Sequence, residues 1–117
     1  MKIREIAKVL NAEVICCEDK LDSEVVAACA SDMMSDVLAF VKDHSVLITG
    51  LNNPQVIRTA EMMDILCIVY VRGKKPDPIS VKLAESKGIV LLYCSVRMFI
   101  ACGLLYDAGL RGGEVSV

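Results

Sequence analysis

The sequence predicts a three-layer α/β domain built on a central, mostly parallel sheet. Three observations predict it. The apolar run Val46–Ile48 stops at Thr49-Gly50, the polar pair Asn52-Asn53 and Pro54 follow, and a helical pattern begins. That is how a buried parallel strand hands over to a helix. The same handover recurs at Ile68-Val69-Tyr70-Val71-Arg72-Gly73. The strands starting near Val46, Leu66 and Ile89 are spaced by about twenty residues, the size of a minimal strand–helix unit.

The elements follow in order. Ile3, Ile6, Ala7, Val9 and Leu10 form the stripe of a short amphipathic helix over Lys2 to Leu10. Asn11 suits a left-handed cap at its end. Glu13 to Cys17 reads as a strand, and the turn Glu18-Asp19-Lys20 is expected to close a small hairpin with the next segment. The run Val25 to Ala30 is long enough for a buried strand over Glu24 to Ala30. Ser31 is read as the N-cap of a helix carrying Met33, Met34, Val37, Leu38 and Val41. Asp32 and Asp36 add favourable charge at its positive end. After the Val46–Thr49 strand, Asn53 is read as an N-cap and Pro54 as part of the first turn of a helix through Val56, Ile57, Ala60 and Met63. Leu66 to Val71 is the most strand-like run. Asp77 caps the next helix, Pro78 starts it, and Gly88 ends it. Ile89 to Cys94 is the last buried strand. Ser95 is expected to open a final helix with a broad apolar side, ended by Gly109. Residues 1–110 form one domain, and 111–117, with Gly112-Gly113, read as a loose tail.

The length of 117 residues fits a single domain, and 55% apolar residues can fill its core. Aromatic residues are only 4%, so the core is built from aliphatic residues, Met, Ala and Cys. A net charge of -2 argues against non-specific binding of nucleic acid or a membrane surface. No run reaches the roughly 18 apolar residues of a membrane span. The N-terminus enters an amphipathic helix without the apolar core of a signal peptide. A cytoplasmic protein with reduced thiols is expected. The six cysteines form no C-x-x-C pair and there is one histidine, His44, so no metal or cofactor site is expected.

The segment Ala30-Ser31-Asp32-Met33-Met34-Ser35-Asp36-Val37-Leu38 resembles the signature of DRTGG-domain proteins. The opening helix ending in Leu10-Asn11-Ala12-Glu13-Val14 is similar to their start, and the order of elements agrees over essentially the whole chain. The family is similar to the N-terminal domain of HPr kinase/phosphorylase. The resemblance implies a Rossmann-like α/β/α sandwich without a kinase P-loop, and a dimerising regulatory module. The name-giving residues differ. Where the family carries Asp-Arg, after the Val46–Thr49 strand, this chain has Gly50-Leu51-Asn52-Asn53. Where it carries Thr-Gly-Gly, this chain has Val71-Arg72-Gly73.

Open α/β sheets bind ligands beyond the carboxyl ends of their strands. That rim would hold Ser31, Asp32, Thr49, Gly50, Asn52, Asn53, Arg72, Gly73 and Ser95. Several stand at expected helix N-termini, which favour anions, and Arg72 suits a phosphate or carboxylate. A small anionic ligand such as a nucleotide phosphate is one reading. Plain caps and turns are the other. Neither G-x-G-x-x-G nor a P-loop occurs, so ATP-driven phosphotransfer is not expected. His44 falls in a polar loop. Asp32 and Asp36, one helical turn apart, could share a metal or simply start a helix. A thiol-dependent enzyme using Cys29 or Cys94 ranks last. The Met-rich helices fit either core filling or partner binding. A mean hydropathy of +0.52 is high for a small monomer and points to a homodimer, with the final helix as the contact. The leading expectation is therefore a non-catalytic regulatory or dimerisation module, with a ligand sensor as the alternative.

Overall fold

In the computed structural model, residues 1–41 and 44–113 are described. Five strands form one sheet in the order β1-β5-β4-β3-β2. They are β1 (Glu13–Cys16), β2 (Ala27–Ala30), β3 (Ser45–Thr49), β4 (Cys67–Tyr70) and β5 (Val90–Tyr93). β2, β3, β4 and β5 run parallel, and β1 is antiparallel to β5. The helices are α1 (Ile3–Leu10), α2 (Met34–Phe40), α3 (Gln55–Met62), α4 (Pro78–Lys87) and α5 (Met98–Asp107).

Strand alternation divides the core in two. Val46, Ile48, Val69, Val90 and Leu92 point to the layer of α1 and α5. Leu47, Ile68, Tyr70 and Leu91 point to the layer of α2, α3 and α4. β3 and β4 are therefore covered on both faces, and every residue in them is buried. This is why they read as unbroken apolar runs rather than as alternating ones.

The capping chemistry read in the sequence holds at several points. Asn11 ends α1 in the left-handed conformation. Asp77 accepts a hydrogen bond from the Ser80 N–H at 2.7 Å, and Pro78 opens α4. Gly88 ends it at φ 71°.

Other expectations are corrected. Glu18–Lys20 is a short 3-10 turn, not a hairpin loop. β1 crosses to β5, with a bulge between Val14 and Cys16. The strand expected over Glu24 to Ala30 is regular only from Ala27 and lies at the sheet edge, so it is half-covered rather than fully buried. Ser31 is not the N-cap of α2. That place belongs to Met33, whose N–H donates to Ser31 Oγ at 2.9 Å in a local turn. Asp32 thus precedes the helix that holds Asp36, and the two are not a helical i, i+4 pair. At α3 the N-cap is Pro54, although Asn53 Oδ1 still accepts from the Gln55 N–H at 3.1 Å. α5 starts after Arg97, two residues beyond Ser95. At the C-terminal end, the Arg111 carbonyl accepts from the Ala28 N–H at 2.8 Å, which ties Arg111 to β2. Residues 114–117 of the expected tail lie outside the described residues.

Candidate functional site

The carboxyl ends of β2, β3, β4 and β5 lie together because the strands are parallel and in register. Their loops are laced to one another. The Arg72 N–H donates to the Val96 carbonyl at 2.8 Å and the Gly73 N–H to the Cys94 carbonyl at 3.2 Å. These bonds bring Arg72, Gly73 and Ser95 side by side. Asn52 Nδ2 donates to the Lys75 carbonyl at 3.0 Å and joins the loop after β3 to the loop after β4.

Asp32 is the centre of the arrangement. Its Oδ1 accepts from Thr49 Oγ1 at 3.0 Å and from the Gly50 N–H at 2.6 Å. Thr49 Oγ1 also accepts from the Leu51 N–H at 3.1 Å. The other carboxylate oxygen, Oδ2, meets Arg72 Nη2 at 3.4 Å. Arg72 has φ 60°, a left-handed conformation uncommon for a side-chain-bearing residue. Gly73, next in the chain, is left-handed too. The Arg72 guanidinium lies over Gly50, where a Cβ would overlap it. The missing side chain at position 50 is what lets the guanidinium lie there, and the glycine's own φ plays no part.

Thr49 is fully buried, whereas the Arg72 and Asp32 side chains are 45% and 48% exposed. The ion pair is thus half in water and weak. Among the described residues, the hydrogen-bond partner of the guanidinium is Asp32, which leaves most of its N–H donors available. The sequence reading did not single out Lys75, Asp77 or Arg97 for this rim. Lys75 Nζ sits 4.9 Å from the centroid of the Tyr93 ring. Arg97 is the N-cap of α5 and makes no side-chain cap bond. Arg72, Lys74, Lys75 and Asp77 all belong to the loop between β4 and α4. The dipeptide Lys74-Lys75 was the available signal.

Beneath the rim, Tyr70 is fully buried, and its hydroxyl has no hydrogen-bond partner among the described residues. Burial, reinforced by Asp77, pushes its ionisation up. An apolar hollow of about 160 Å³ lies elsewhere, between β2 and α5. Ala28, Ile48, Cys102 and Leu105 line it, and it includes none of the rim residues.

The thiols point away from nucleophilic chemistry. Burial raises all six. Cys16 is pushed up to about 12, first by burial and then by Cys17 beside it. Cys29 and Cys94, the strand-end cysteines, are raised chiefly by burial as well. An activated thiol needs the opposite shift. No group of three or more His, Cys, Asp or Glu among the described residues could hold a metal ion. None of the described helices is long and apolar enough to cross a membrane.

The chain matches the DRTGG domain over residues 5–101. It belongs to the DRTGG-domain family. Among solved structures, this DRTGG chain is similar to the CBS and DRTGG domains of the regulatory region of Clostridium perfringens pyrophosphatase, solved with its activator diadenosine tetraphosphate. The TM-score is 0.74 at 15% identity, over 99% of this chain and 53% of that one. The likeness establishes a shared fold, and this chain spans about half of that neighbour. Comparison with curated protein sequences gives no match.

Proposed function

We propose that this DRTGG domain is a non-catalytic, cytoplasmic regulatory module that senses a small phosphorylated ligand at the carboxyl rim of its sheet. The observation that carries the reading is Arg72. Its left-handed backbone and the missing side chain at Gly50 aim a half-exposed guanidinium across the rim, where its ion pair with Asp32 is weak. A guanidinium in that state suits a phosphate, which it can bind through two parallel N–H bonds. Lys75, over the Tyr93 ring, adds positive charge in the same loop. The activator in the structurally similar pyrophosphatase region is a nucleotide, which favours nucleotides among the anions to try first.

A regulatory role fits the chemistry of the rim. It has polar groups that hold and orient, while burial pushes the ionisation of the strand-end thiols Cys29 and Cys94 up. A thermal-shift series with nucleotides, pyrophosphate and inorganic phosphate tests the reading. Ligand at one hundred times its Kd adds about 2.7 kcal/mol to stability. At least one phosphorylated ligand should raise Tm, and Arg72→Met should abolish the rise. No shift with any of them at millimolar concentration would refute the sensor.

The second reading concerns assembly. The module acts as a homodimer, a reading supported by the mean hydropathy of +0.52 and by the exposed apolar side of α5. Sedimentation velocity at tens of micromolar, a range that detects weak association, should give a dimer.

A further inference from the structure

α5 buries Ala101 and Leu105 against the sheet. Its opposite side is apolar and open. Phe99 is 84% exposed, Ile100 49% and Leu104 41%. Gly103 stands among them, with nothing within 4 Å of the place its Cβ would occupy. At about 100° per residue, Phe99, Ile100, Gly103, Leu104 and Asp107 fall within an arc of about 140°. An apolar stripe of that width normally faces a partner rather than water.

We infer that a second copy of this chain covers this side, with the two α5 helices crossing antiparallel near Gly103. The inference rests on the homodimer reading above and specifies its contact. Two features select a second copy. The first is charge. Arg97 stands at the start of α5 and Asp107 at its end. A two-fold axis near the helix midpoint brings each Arg97 to the Asp107 of the other copy. It also sets Ile100 against Leu104, so the same patch completes itself, as an isologous contact requires. The second is Gly103. Glycine is the weakest helix former apart from proline. Neither a positive φ nor crowding within the chain explains it here. Close approach of a second helix one residue from the axis does.

The test is sedimentation of the full chain and its variants, with circular dichroism to confirm folding. Gly103→Gln replaces the glycine with a good helix former in open space, so the monomer should be at least as stable as before. The same change should weaken the dimer at least tenfold by holding the helices apart. Arg97→Asp and Asp107→Arg should each weaken it by roughly fivefold, and the double exchange should restore it, as expected for two symmetric exposed ion pairs. A wild-type dimer untouched by Gly103→Gln and by Leu104→Asp would overturn the α5 contact and leave the dimer standing. A double exchange weaker than either single reversal would overturn the antiparallel arrangement. A wild-type monomer at about 100 μM, where even weak self-association shows, would overturn both the contact and the homodimer.

Discussion

Thr49→Val removes one hydroxyl and little else. Valine keeps the β-branch and nearly the same volume, so the fully buried position is neither emptied nor overfilled. Two hydrogen bonds disappear. One is donated to the Asp32 carboxylate at 3.0 Å, and the other is accepted from the Leu51 N–H at 3.1 Å. A bond to a charged group contributes about 1.5–3 kcal/mol, and Asp32 is half-exposed, so the low end applies here. The Leu51 bond adds about 1 kcal/mol. The sum is a loss of about 2–3 kcal/mol, or roughly 8–12 °C in Tm for a domain of this size. Urea unfolding followed by circular dichroism measures it, with the slope unchanged because the same surface is exposed. A loss under about 0.5 kcal/mol, the level of a neutral surface change, would show that Asp32 is not held by Thr49. The tie from Asp32 to the loop after β3 would then rest on the Gly50 N–H.

Other consequences follow from the same contacts. Tyr70→Phe removes a buried hydroxyl that has no partner among the described residues, so stability should rise by about 1 kcal/mol in urea unfolding. A loss instead would reveal a bond to that hydroxyl. Stability should fall as pH climbs above about 9. Cys16 is raised from 9.0 to about 12, so between those values the unfolded thiol ionises and the folded one stays protonated. The folded state then binds more protons, and raising pH favours unfolding. Cys16→Ala should make that decline shallower, with the other raised thiols and Tyr70 keeping the remainder, in unfolding curves taken from about pH 8 to 11, the range spanning the usual thiol ionisation. Gly50→Ala puts a methyl where the Arg72 guanidinium lies, so it should displace Arg72 with little effect on Tm, because the lost ion pair is worth about 0–1 kcal/mol. It should weaken binding of a phosphorylated ligand by roughly tenfold or more, the value of one charged hydrogen bond. Equal affinity in calorimetry would remove Arg72 from the ligand's contacts.

The parallel core was legible because β3 and β4 are covered on both faces and end in polar turns. Period, composition and punctuation agree there. The partner of β1 was not legible. A four-residue strand followed by Glu18-Asp19-Lys20 fits a hairpin as well as a crossing to β5, and only packing of α4 and β5 against it decides. Ser95 carried the local signal of an N-cap. Yet the chain stays extended to Arg97, where the Val96 carbonyl takes the Arg72 N–H. Asp32 shows the limit most clearly. Locally it reads as an acidic residue near a helix start. Its partners Thr49, Gly50 and Arg72 stand 17, 18 and 40 residues further along the chain. The rim residues could be named from the rule for parallel sheets, but their pairing is a property of the fold.

The central claim is that the rim around Arg72 holds a phosphorylated ligand. An NMR titration of the labelled chain with ATP and with pyrophosphate tests it most directly. Saturable shifts of the Gly50, Arg72 and Gly73 amides, absent in Arg72→Met, are the predicted result. Shifts confined to other parts of the chain, or a titration unchanged by Arg72→Met, would contradict it.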